Sequence, residues 1–347
     1  MQKTILITGT AGFIASKVAE QLAQQNHRVI GIDNINDYYD VRLKYARLSD
    51  AGFDTYNNDI PFGKKIQSSL YPNYQFIRID IDDKEALEQL FKEYQFNKVV
   101  NLAAQAGVRY SISNPYSYLQ SNLVGFLNIL ECCRHYEVKD LIYASSSSVY
   151  GLNDKVPFEE MDQVDSPVSL YAATKKSNEL MAHAYSKLYN IRTAGLRFFT
   201  VYGPYGRPDM APMLFAKAIS NDQPINIFNE GNLMRDFTYI DDIVEGTIKI
   251  IINNERFSPD KNDVFYHIFN IGCNQPVKLM DFISELELAI SKTAKKNYLP
   301  MQQGDVYKTY AATKKLEQTV GYKPSVSLHD GINAFIEWYK SDKNPLK

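Results

Sequence analysis

A tyrosine and a lysine four residues apart are the first side chains in this sequence whose types and spacing could do chemistry. In Tyr171-Ala-Ala-Thr-Lys175 the two side chains fall one turn apart on the same face of a predicted helix. A lysine charge beside a phenol favours the phenolate and moves the pKa of the phenol toward neutral pH. The pair therefore predicts a general base.

The surroundings of this pair are more specific than its spacing. Four tyrosines in the chain stand four residues before a lysine: Tyr94, Tyr171, Tyr310 and Tyr339. Tyr171 alone follows shortly after a predicted strand that ends in the serine run 145–148. Because open α/β sheets bind ligands at the carboxyl ends of their parallel strands, this serine run and the tyrosine–lysine pair together predict an active site.

A glycine turn near the N-terminus predicts a dinucleotide site. Gly9 and Gly12 follow a short apolar strand and precede an amphipathic helix. Glycines let the backbone approach a pyrophosphate, which the free N–H groups of the helix N-terminus can bind. Asp33 ends the second predicted strand. Its carboxylate would accept hydrogen bonds from both ribose hydroxyls and would repel a 2′-phosphate, which favours NAD over NADP.

Alternating strand and helix patterns must position these residues. Predicted strands cover residues 3–8, 28–32, 74–79, 98–102, 141–145 and 192–197. Predicted helices between them cover residues 13–25, 83–94, 115–135 and 170–189. Apolar strands separated by helices indicate a doubly wound parallel sheet, because parallel strands need crossover connections and are covered on both faces.

The sequence pattern changes near residue 200, where prolines and glycines become frequent and the alternation of strand and helix patterns becomes irregular. We expect an α/β protein with a Rossmann-type domain over residues 1–199. Residues 200–347 are expected to form mainly a smaller, mixed α/β, substrate-binding domain, with some segments after residue 230 returning to the first domain. Residues 51–73 are polar and show no clear period, so their role is not predicted.

Composition excludes several classes of function. The chain has 38 basic and 40 acidic residues and no basic run of five, so we expect no nucleic-acid partner. No apolar stretch approaches the ~18 residues that span a bilayer, and no signal-peptide pattern precedes the first strand. We therefore expect a cytoplasmic protein without a membrane partner. The cysteines form no CxxC and the histidines have no metal-ligand spacing, so no metal site is expected.

Several motifs, in one order along nearly the whole chain, resemble the extended short-chain dehydrogenases that act on nucleotide sugars. They are Gly9-x-x-Gly12-Phe13-Ile14, Asn101-Leu-Ala-Ala104, the segment 145–151, Tyr171-x-x-x-Lys175 and Arg197-Phe-Phe-Thr-Val-Tyr-Gly-Pro204. Finer features resemble UDP-glucuronate 4-epimerases: Asp33-Asn-Ile-Asn-Asp-Tyr-Tyr-Asp40, Ala104-Gln-Ala-Gly-Val-Arg-Tyr110, the segment 200–210 and Met301-Gln-Gln-Gly-Asp-Val306. The resemblance implies NAD as cofactor and a UDP-sugar as substrate.

The resemblance also implies roles for the catalytic and cofactor-binding residues. Tyr171 would be the general base on the sugar 4-hydroxyl, helped by Lys175 and Ser146. Hydride would leave C4 for NAD⁺, the 4-keto sugar would turn its other face, and the hydride would return. Asp33 would bind the ribose and Asp80 the adenine. The other implied cofactor contacts are Gly9, Gly12, Phe13, Ile14, Asn34, Ile81, Leu102, Ala103, Ala104, Tyr171 and Lys175.

For the substrate, the resemblance implies a set of contacts along the UDP-sugar. Arg235 would bind the diphosphate. Thr200, Arg109 and Arg207 are the candidates for a C5 carboxylate. The catalytic hydroxyl is followed by Ser147 and Ser148, where the related 4,6-dehydratases carry an Asp–Glu pair for acid–base work, so dehydration is not expected. The remaining implied contacts are Ser146 and Tyr171 for the sugar, Asn226, Ile227 and Phe228 for uracil, and Asp305 for the uridine ribose.

The sequence therefore predicts a UDP-glucuronate 4-epimerase and leaves alternatives open. The enzyme could act on neutral or N-acetylated UDP-hexoses, or decarboxylate a UDP-uronate. A catalytically silent NAD-binding regulator is a different class, against which intact Ser146, Tyr171 and Lys175 argue. The apolar stripe of the predicted helix 115–135 fits either burial within the monomer or the homodimer that the resemblance implies.

Overall fold

The structure, a computed structural model, describes residues 2–301 and 306–347. The strands in this part of the chain are β1 (Thr4–Thr8), β2 (Arg28–Asp33), β3 (Lys65–Gln67), β4 (Tyr74–Arg78), β5 (Lys98–Asn101), β6 (Asp140–Ser146), β7 (Arg192–Phe198), β8 (Thr200–Tyr202), β9 (Pro224–Phe228), β10 (Met234–Tyr239), β11 (Tyr266–Ile271), β12 (Pro276–Lys278) and β13 (Lys295–Leu299).

The α-helices of the same residues lie mostly between these strands. They are α1 (Phe13–Gln24), α2 (Arg42–Asp50), α3 (Lys84–Tyr94), α4 (Tyr110–Ser113), α5 (Pro115–Tyr118), α6 (Gly125–His135), α7 (Leu170–Tyr189), α8 (Ala211–Ser220), α9 (Ile240–Asn253), α10 (Leu279–Ile290), α11 (Lys314–Val320) and α12 (Leu328–Lys340).

An eight-stranded sheet carries the loops of the candidate site. Its strand order is β11-β7-β6-β5-β1-β2-β4-β3, and all neighbours are parallel except β3, which runs antiparallel to β4 at one edge. The order reverses at β1, with β2 on one side and β5 on the other. Such reversal points leave a crevice at the carboxyl ends of the strands, where ligands bind. The predicted Rossmann-type α/β fold is confirmed.

Helices cover both faces of this sheet because its strands are apolar on both. Ile5 and Ile7 of β1 belong to one buried cluster, together with α1 and α9, whereas Leu6 points into a second cluster with α3 and α6. Alternate residues of a strand face opposite sides, so each strand contributes to both cores. Because both faces of the sheet are packed, the carboxyl ends of its strands form a rigid support for the loops of the candidate site.

Two smaller sheets lie in the C-terminal region. In one, β10 pairs parallel with β8 and antiparallel with β12; in the other, β9 pairs parallel with β13. These mixed sheets match the predicted smaller α/β part. β11, although it comes after residue 230, completes one edge of the large sheet. The boundary at residues 199 and 200 stays a prediction.

Six predicted strands and three predicted helices coincide with observed elements to within one or two residues. The predicted helix 115–135 differs, because α5 and α6 are separated by a π-helical segment, Leu119–Val124. Within it, the buried Asn122 donates to the carbonyl of Gln105 at 3.0 Å, and its own carbonyl accepts from the Asn178 amide at 2.6 Å. A π-helical turn changes the hydrogen bonding of the helix backbone and so leaves the carbonyl of Asn122 to a side chain. The pattern of apolar residues in the sequence does not reveal such a turn.

The segment 51–73 contains structure that the sequence did not indicate. Lys65–Gln67 forms the short edge strand β3. Arg78 of β4 holds the preceding loop through a 2.6 Å hydrogen bond from Nη1 to the carbonyl of Ile60. No helix among residues 2–301 and 306–347 is long and apolar enough to cross a membrane. The same residues contain no group of three or more His, Cys, Asp or Glu that could hold a metal ion.

Candidate active site

A cleft opens at the carboxyl ends of the parallel strands, between the large sheet and segments after residue 200. Its volume of about 410 Å³ lies within the ~300–1,000 Å³ usual for ligand pockets. The structure brings most of the sequence-predicted residues together in its wall: Gly9, Gly12, Phe13, Ile14, Asp33, Asn34, Asp80, Ile81, Leu102, Ala103, Ala104, Ser146, Ser147, Ser148, Tyr171, Lys175, Thr200, Arg207 and Arg235.

The turn between β1 and α1 has the shape that a pyrophosphate needs. Gly9 adopts φ +79°, and a Cβ on it would lie 2.9 Å from the backbone nitrogen of Ala103. A Cβ on Gly12 would lie 2.8 Å from the carbonyl oxygen of Gly9. No side chain among the described residues caps α1 at Gly12. The first N–H groups of α1 are thus available to a phosphate, and the turn fits the pyrophosphate of NAD.

Asp33 lies at the end of β2 and is held in the wall of the cleft. Its Oδ2 accepts a 3.2 Å hydrogen bond from the backbone N–H of Ala11, and its Oδ1 accepts one of 2.7 Å from Ile35. Beside it, the Asn34 amide donates to Asp80 at 2.7 Å. Asp33 is therefore tied to the phosphate turn, and a dinucleotide lying across the strand ends would reach all three polar side chains.

The catalytic candidates come from two elements that meet at the cleft. Helix α7 begins after Ser169, whose Oγ accepts a 3.1 Å hydrogen bond from the N–H of Ala172. This cap sets the first turn of the helix, and with it Tyr171, at the cleft. One turn later, Lys175 donates from Nζ to the carbonyl of Ala144 in β6 at 2.9 Å. Ser146 ends β6 beside them.

The serine cluster turns out of β6 as a short 3₁₀ helix, Ser147–Tyr150. The Ser146 hydroxyl caps it by accepting from the backbone N–H of Ser148 at 3.2 Å, and the Ser148 hydroxyl lies 2.9 Å from the same oxygen. The cap fixes the rotamer of Ser146. Three hydroxyl groups are thereby presented at the carboxyl end of one strand.

Burial and charge act in opposite directions on the two titratable candidates. Burial raises the pKa of Tyr171, whereas a hydrogen bond with Ser146 and the positive charge of Arg207 lower it. Burial lowers the pKa of Lys175 to about 7. The prediction that the charge of Lys175 favours the phenolate stays a prediction, and the structure adds Arg207 as a cation whose charge lowers the pKa of Tyr171. Lys175 faces the Ala144 carbonyl and can exchange a proton near neutral pH.

A buried ion pair holds α7, the helix that carries Tyr171 and Lys175, against the large sheet. Arg197 of β7 donates from Nε and Nη2 to the two carboxylate oxygens of Glu179 in α7, at 2.8 and 2.9 Å. Glu179 also accepts a 2.7 Å hydrogen bond from the hydroxyl of Ser145. One carboxylate therefore joins the helix of Tyr171 to the two strands beneath it. The sequence analysis did not assign Glu179, because no local pattern pairs it with a residue on a distant strand.

The opposite wall of the cleft comes from the segments after residue 198. Thr200 begins β8, and Arg207 follows in the next loop, where its Nε and Nη2 pair with Asp209 at 3.0 and 2.5 Å. Arg235 of β10 donates from Nη1 to the carbonyls of Met234 and Tyr307. Two guanidinium groups thus lie in the wall of the cleft that also contains Tyr171.

The structure does not place every predicted substrate residue in the described cleft wall. Asn226, Ile227 and Phe228 lie on β9, outside that wall. The guanidinium carbon of Arg109 lies 5.3 Å from the centre of the Phe228 ring, so these two predicted residues contact each other instead. Asp305 lies outside the described residues. Its role, like the roles of the other site residues, stays a prediction.

Sequence reasoning also missed residues that line the cleft. Lys44 of α2 is buried with its Nζ 3.9 Å from Asp33 Oδ1 and 2.8 Å from Asn36 Oδ1. It therefore adds a positive charge beside the predicted ribose site. Tyr38, also in the wall, donates to Asp209 at 2.8 Å. The tyrosine pair within Asp33-Asn-Ile-Asn-Asp-Tyr-Tyr-Asp40 was a usable signal for Tyr38, whereas α2 offers no pattern that marks Lys44.

With this geometry in hand, comparison with known proteins gives the family. The model of the "NAD dependent epimerase/dehydratase family" matches residues 5–272, well over half of the chain. This chain belongs to that family. Its cofactor is accordingly NAD, which the phosphate turn fits, and the predicted membership in the extended short-chain dehydrogenases is confirmed.

Individual relatives extend over nearly the whole chain. Protein CapI of Staphylococcus aureus is 51% identical over 344 residues, covering 96% of this chain and 98% of that protein. A probable UDP-glucuronate 4-epimerase of Rhizobium meliloti is 44% identical, covering 96% of each chain. The crystal structure of a UDP-glucuronic acid 4-epimerase from Bacillus cereus, in complex with UDP-glucuronic acid and NAD, superposes with a TM-score of 0.81 at 34% identity, covering 97% of this chain and 99% of that one.

The Gly9 turn gives a first prediction. In Gly9→Ala the new Cβ meets the Ala103 backbone, which cannot rotate away, whereas in Gly63→Ala the residue has a similar φ of +72° and no described atom within 4 Å. Both variants carry the strain of an L-residue with positive φ, about 1–2 kcal/mol. We expect Gly9→Ala to lose more stability in urea unfolding and to bind NAD at least about tenfold more weakly in calorimetric titration. Equal losses in the two variants would contradict this.

Lys175 gives a second prediction, on the pH dependence of stability. Its folded-state pKa of about 7 lies below the ~10.4 of an unfolded lysine. Between these values the unfolded state binds the extra proton, so the contribution of Lys175 to the free energy of unfolding rises with pH. In urea unfolding from pH 7 to 10, the wild type should gain stability relative to Lys175→Met. The exposed Lys187→Met on the same helix should parallel the wild type, and parallel curves for all three proteins would refute the prediction.

Proposed function

We propose that this protein is a UDP-glucuronate 4-epimerase, which interconverts UDP-glucuronate and UDP-galacturonate. The observation that carries the proposal is the position of Arg207, a cation in the same cleft as Tyr171 whose charge acts on the tyrosine hydroxyl. A fixed cation beside the reacting end of the sugar suits a substrate with a carboxylate at C5. The relatives named as UDP-glucuronate 4-epimerases support the same assignment.

In this reaction Tyr171 accepts the proton of the sugar 4-hydroxyl, and Ser146 orients that hydroxyl by hydrogen bonding. Bound NAD⁺ supplies a reversible acceptor for the hydride of C4. The charge of Arg207 and the hydrogen bond of Ser146 both stabilise the phenolate of Tyr171. Lys175 lies one turn after Tyr171 on the same helix, and its pKa of about 7 lets it take up or release a proton near neutral pH. Rotation of the sugar between the two steps inverts C4.

The carboxylate creates a hazard for which an epimerase needs a specific device. Once C4 is a ketone, the C5 carboxylate belongs to a β-keto acid, which loses CO₂ when the C5–C6 bond aligns with the carbonyl π-system. We assign Thr200 and Arg207 to hold the carboxylate out of that alignment. Both line the cleft, and together they offer a hydroxyl and a guanidinium, which form short, directional bonds to a carboxylate.

We assign binding of the nucleotide end of the substrate to the other predicted residues. Arg235, in the cleft wall, is assigned to the diphosphate, and β9 with Asn226, Ile227 and Phe228 to uracil. Because Arg109 packs on the Phe228 ring, we assign it to the nucleotide end rather than to the carboxylate. Ser147 and Ser148 contact the sugar; neither has the acid–base strength needed to remove water, which argues against dehydration.

A third prediction tests this function directly. Incubation of the purified protein with UDP-glucuronate, without and then with added NAD⁺, should give UDP-galacturonate by NMR, and the same final ratio should be reached from either sugar. UDP-pentose with CO₂ would instead mean a decarboxylase. No reaction would redirect the assay to UDP-glucose and UDP-N-acetylhexosamines, and failure of all these substrates despite NAD binding would favour a silent regulator.

Tyr171→Phe sharpens that test. It should lower turnover by at least about 100-fold, because a general base is removed, while NAD binding is retained. Tyr339→Phe is the matched control, since Tyr339 also precedes a lysine by four residues but lies on α12, away from the described cleft wall. Undiminished turnover in Tyr171→Phe would remove Tyr171 from the role of base.

We also propose that the protein is a homodimer formed through α6 and α7. These neighbouring helices expose Leu127, Leu180 and Leu188, with 41%, 60% and 68% of each residue accessible.

As a fourth prediction, the wild type should sediment as a dimer and the double variant Leu127→Asp/Leu180→Asp as a monomer. Leu288→Asp, which changes an equally exposed leucine on α10, should leave the dimer intact. A monomeric wild type at micromolar concentration would refute the dimer.

A further inference from the structure

Arg207 is held in a defined orientation. Its Nε and Nη2 form a fork with the two carboxylate oxygens of Asp209. This geometry uses one edge of the guanidinium, and among residues 2–301 and 306–347 no hydrogen bond from Nη1 is present. Arg207 lies in the cleft wall, so Nη1 is the part of the side chain that a substrate anion can engage.

Asp209 is itself fixed from the other side of the cleft. The hydroxyl of Tyr38 donates to its Oδ2 at 2.8 Å. The Tyr38 ring lies 5.8 Å from the guanidinium carbon of Arg207 and 4.6 Å from the ring of Tyr110. Burial and the Asp209 charge raise the pKa of Tyr38 well above its usual range, so it remains a hydrogen-bond donor at every working pH. A tyrosine from the cofactor half of the molecule thereby sets the rotamer of the Arg207–Asp209 pair.

The backbone of the same loop is anchored by a second contact. The buried Arg47 donates from Nη2 to the carbonyl of Tyr205 at 2.7 Å, and from Nη1 to the carbonyl of Ala11 at 2.8 Å. Tyr205 has φ +61°, an unfavourable conformation for a residue with a side chain. Gly206 alone separates Tyr205 from Arg207 along the chain. Arg47 therefore holds the Arg207 loop to the phosphate turn, of which Ala11 is part.

We propose that Tyr38 and Asp209 are positioning residues that aim Arg207 at the substrate carboxylate and so determine whether the 4-keto sugar is epimerised or decarboxylated. The inference rests on the proposed function. Neither side chain needs to touch the reacting atoms. Their task is to keep Nη1 at one place while the sugar turns, with Arg47 keeping the loop itself in place.

The competing reaction defines what must be prevented. In the 4-keto uronate the C5–C6 bond breaks, its electron pair passes into the enolate of the C4 ketone, and C6 leaves as CO₂. A proton from water then adds to C5 and gives a 4-keto pentose. A guanidinium that holds the carboxylate near the plane of the ketone keeps the C5–C6 bond from overlapping with the π-system. A guanidinium free to swing would allow that overlap part of the time.

Tyr38→Phe is the main test and our fifth prediction, because it retains the ring and removes the hydrogen bond to Asp209. With UDP-glucuronate, we expect the molar ratio of CO₂ to UDP-galacturonate to rise about tenfold over wild type, the amount that loss of one charge-assisted hydrogen bond accounts for. Asp209→Asn should move the ratio in the same direction. Tyr136→Phe is the matched control: Tyr136 is exposed and follows α6 near the amino end of β6, away from the strand ends that form the cleft.

The product ratio separates positioning from damage to the fold. Partial unfolding would lower both products together and leave their ratio unchanged, whereas a loose Arg207 changes the ratio. A wild-type ratio in both Tyr38→Phe and Asp209→Asn, with wild-type epimerisation intact, would overturn the inference. Absence of epimerisation in the wild type would instead overturn the proposed function on which it rests.

A binding measurement gives an independent readout without turnover. In the Tyr171→Phe background, the ratio of the dissociation constants for UDP-glucose and UDP-glucuronate reports recognition of the carboxylate alone. Adding Tyr38→Phe should reduce the preference for UDP-glucuronate several-fold, because the entropy of a mobile Arg207 must then be lost on binding. Adding Tyr136→Phe should leave the preference unchanged. An unaltered preference after Tyr38→Phe would contradict the positioning role.

Discussion

The buried ion pair between Arg197 and Glu179 is the interaction on which the catalytic half of the structure depends. Glu179 lies one turn after Lys175 and two turns after Tyr171 on α7, and its carboxylate reaches both β7 and the Ser145 hydroxyl of β6. The pair thus fixes the rotation of α7 about its own axis, and that rotation decides where Tyr171 meets Ser146. Removing one partner of such a pair costs about 3–5 kcal/mol, because a charge is left buried and unpaired. A hydrophobic contact would hold the helix on the sheet without fixing its rotation.

The two sides of the cleft are built by different means. The cofactor side is made largely of backbone: a glycine turn, the uncapped start of α1 and the carboxyl ends of strands. The side proposed for the substrate carries arginines held by other groups: Arg207, on a loop, pairs with Asp209, and Arg235, on β10, donates to the carbonyls of Met234 and Tyr307. Backbone suits a ligand that stays in place. Side chains held by neighbouring groups suit the sugar of the proposed reaction, which must be released, turned and held again.

Much of the fold and part of the candidate site could be predicted from local patterns. Strands, helices and the Gly9 turn depend on residues close in sequence, and so do Tyr171 and Lys175, which share one helix. Tyr38 and Asp209, by contrast, are 171 residues apart, and Arg47 and Tyr205 are 158 apart. No periodicity connects such residues. The π-helical segment Leu119–Val124 was missed for a related reason, since the buried Asn122 within it bonds to Gln105 and Asn178, which are distant in sequence.

The edges of the large sheet have a consequence for how this molecule meets others. At one edge β3 is three residues long and exposes Lys65 and Gln67, so it offers a poor template for another strand. At the other edge, the outward carbonyl of Ile268 in β11 accepts from Lys315 at 2.8 Å, and the outward N–H of Asn270 donates to Glu160 at 3.0 Å. Both margins of the large sheet are therefore poor templates for a strand from another molecule.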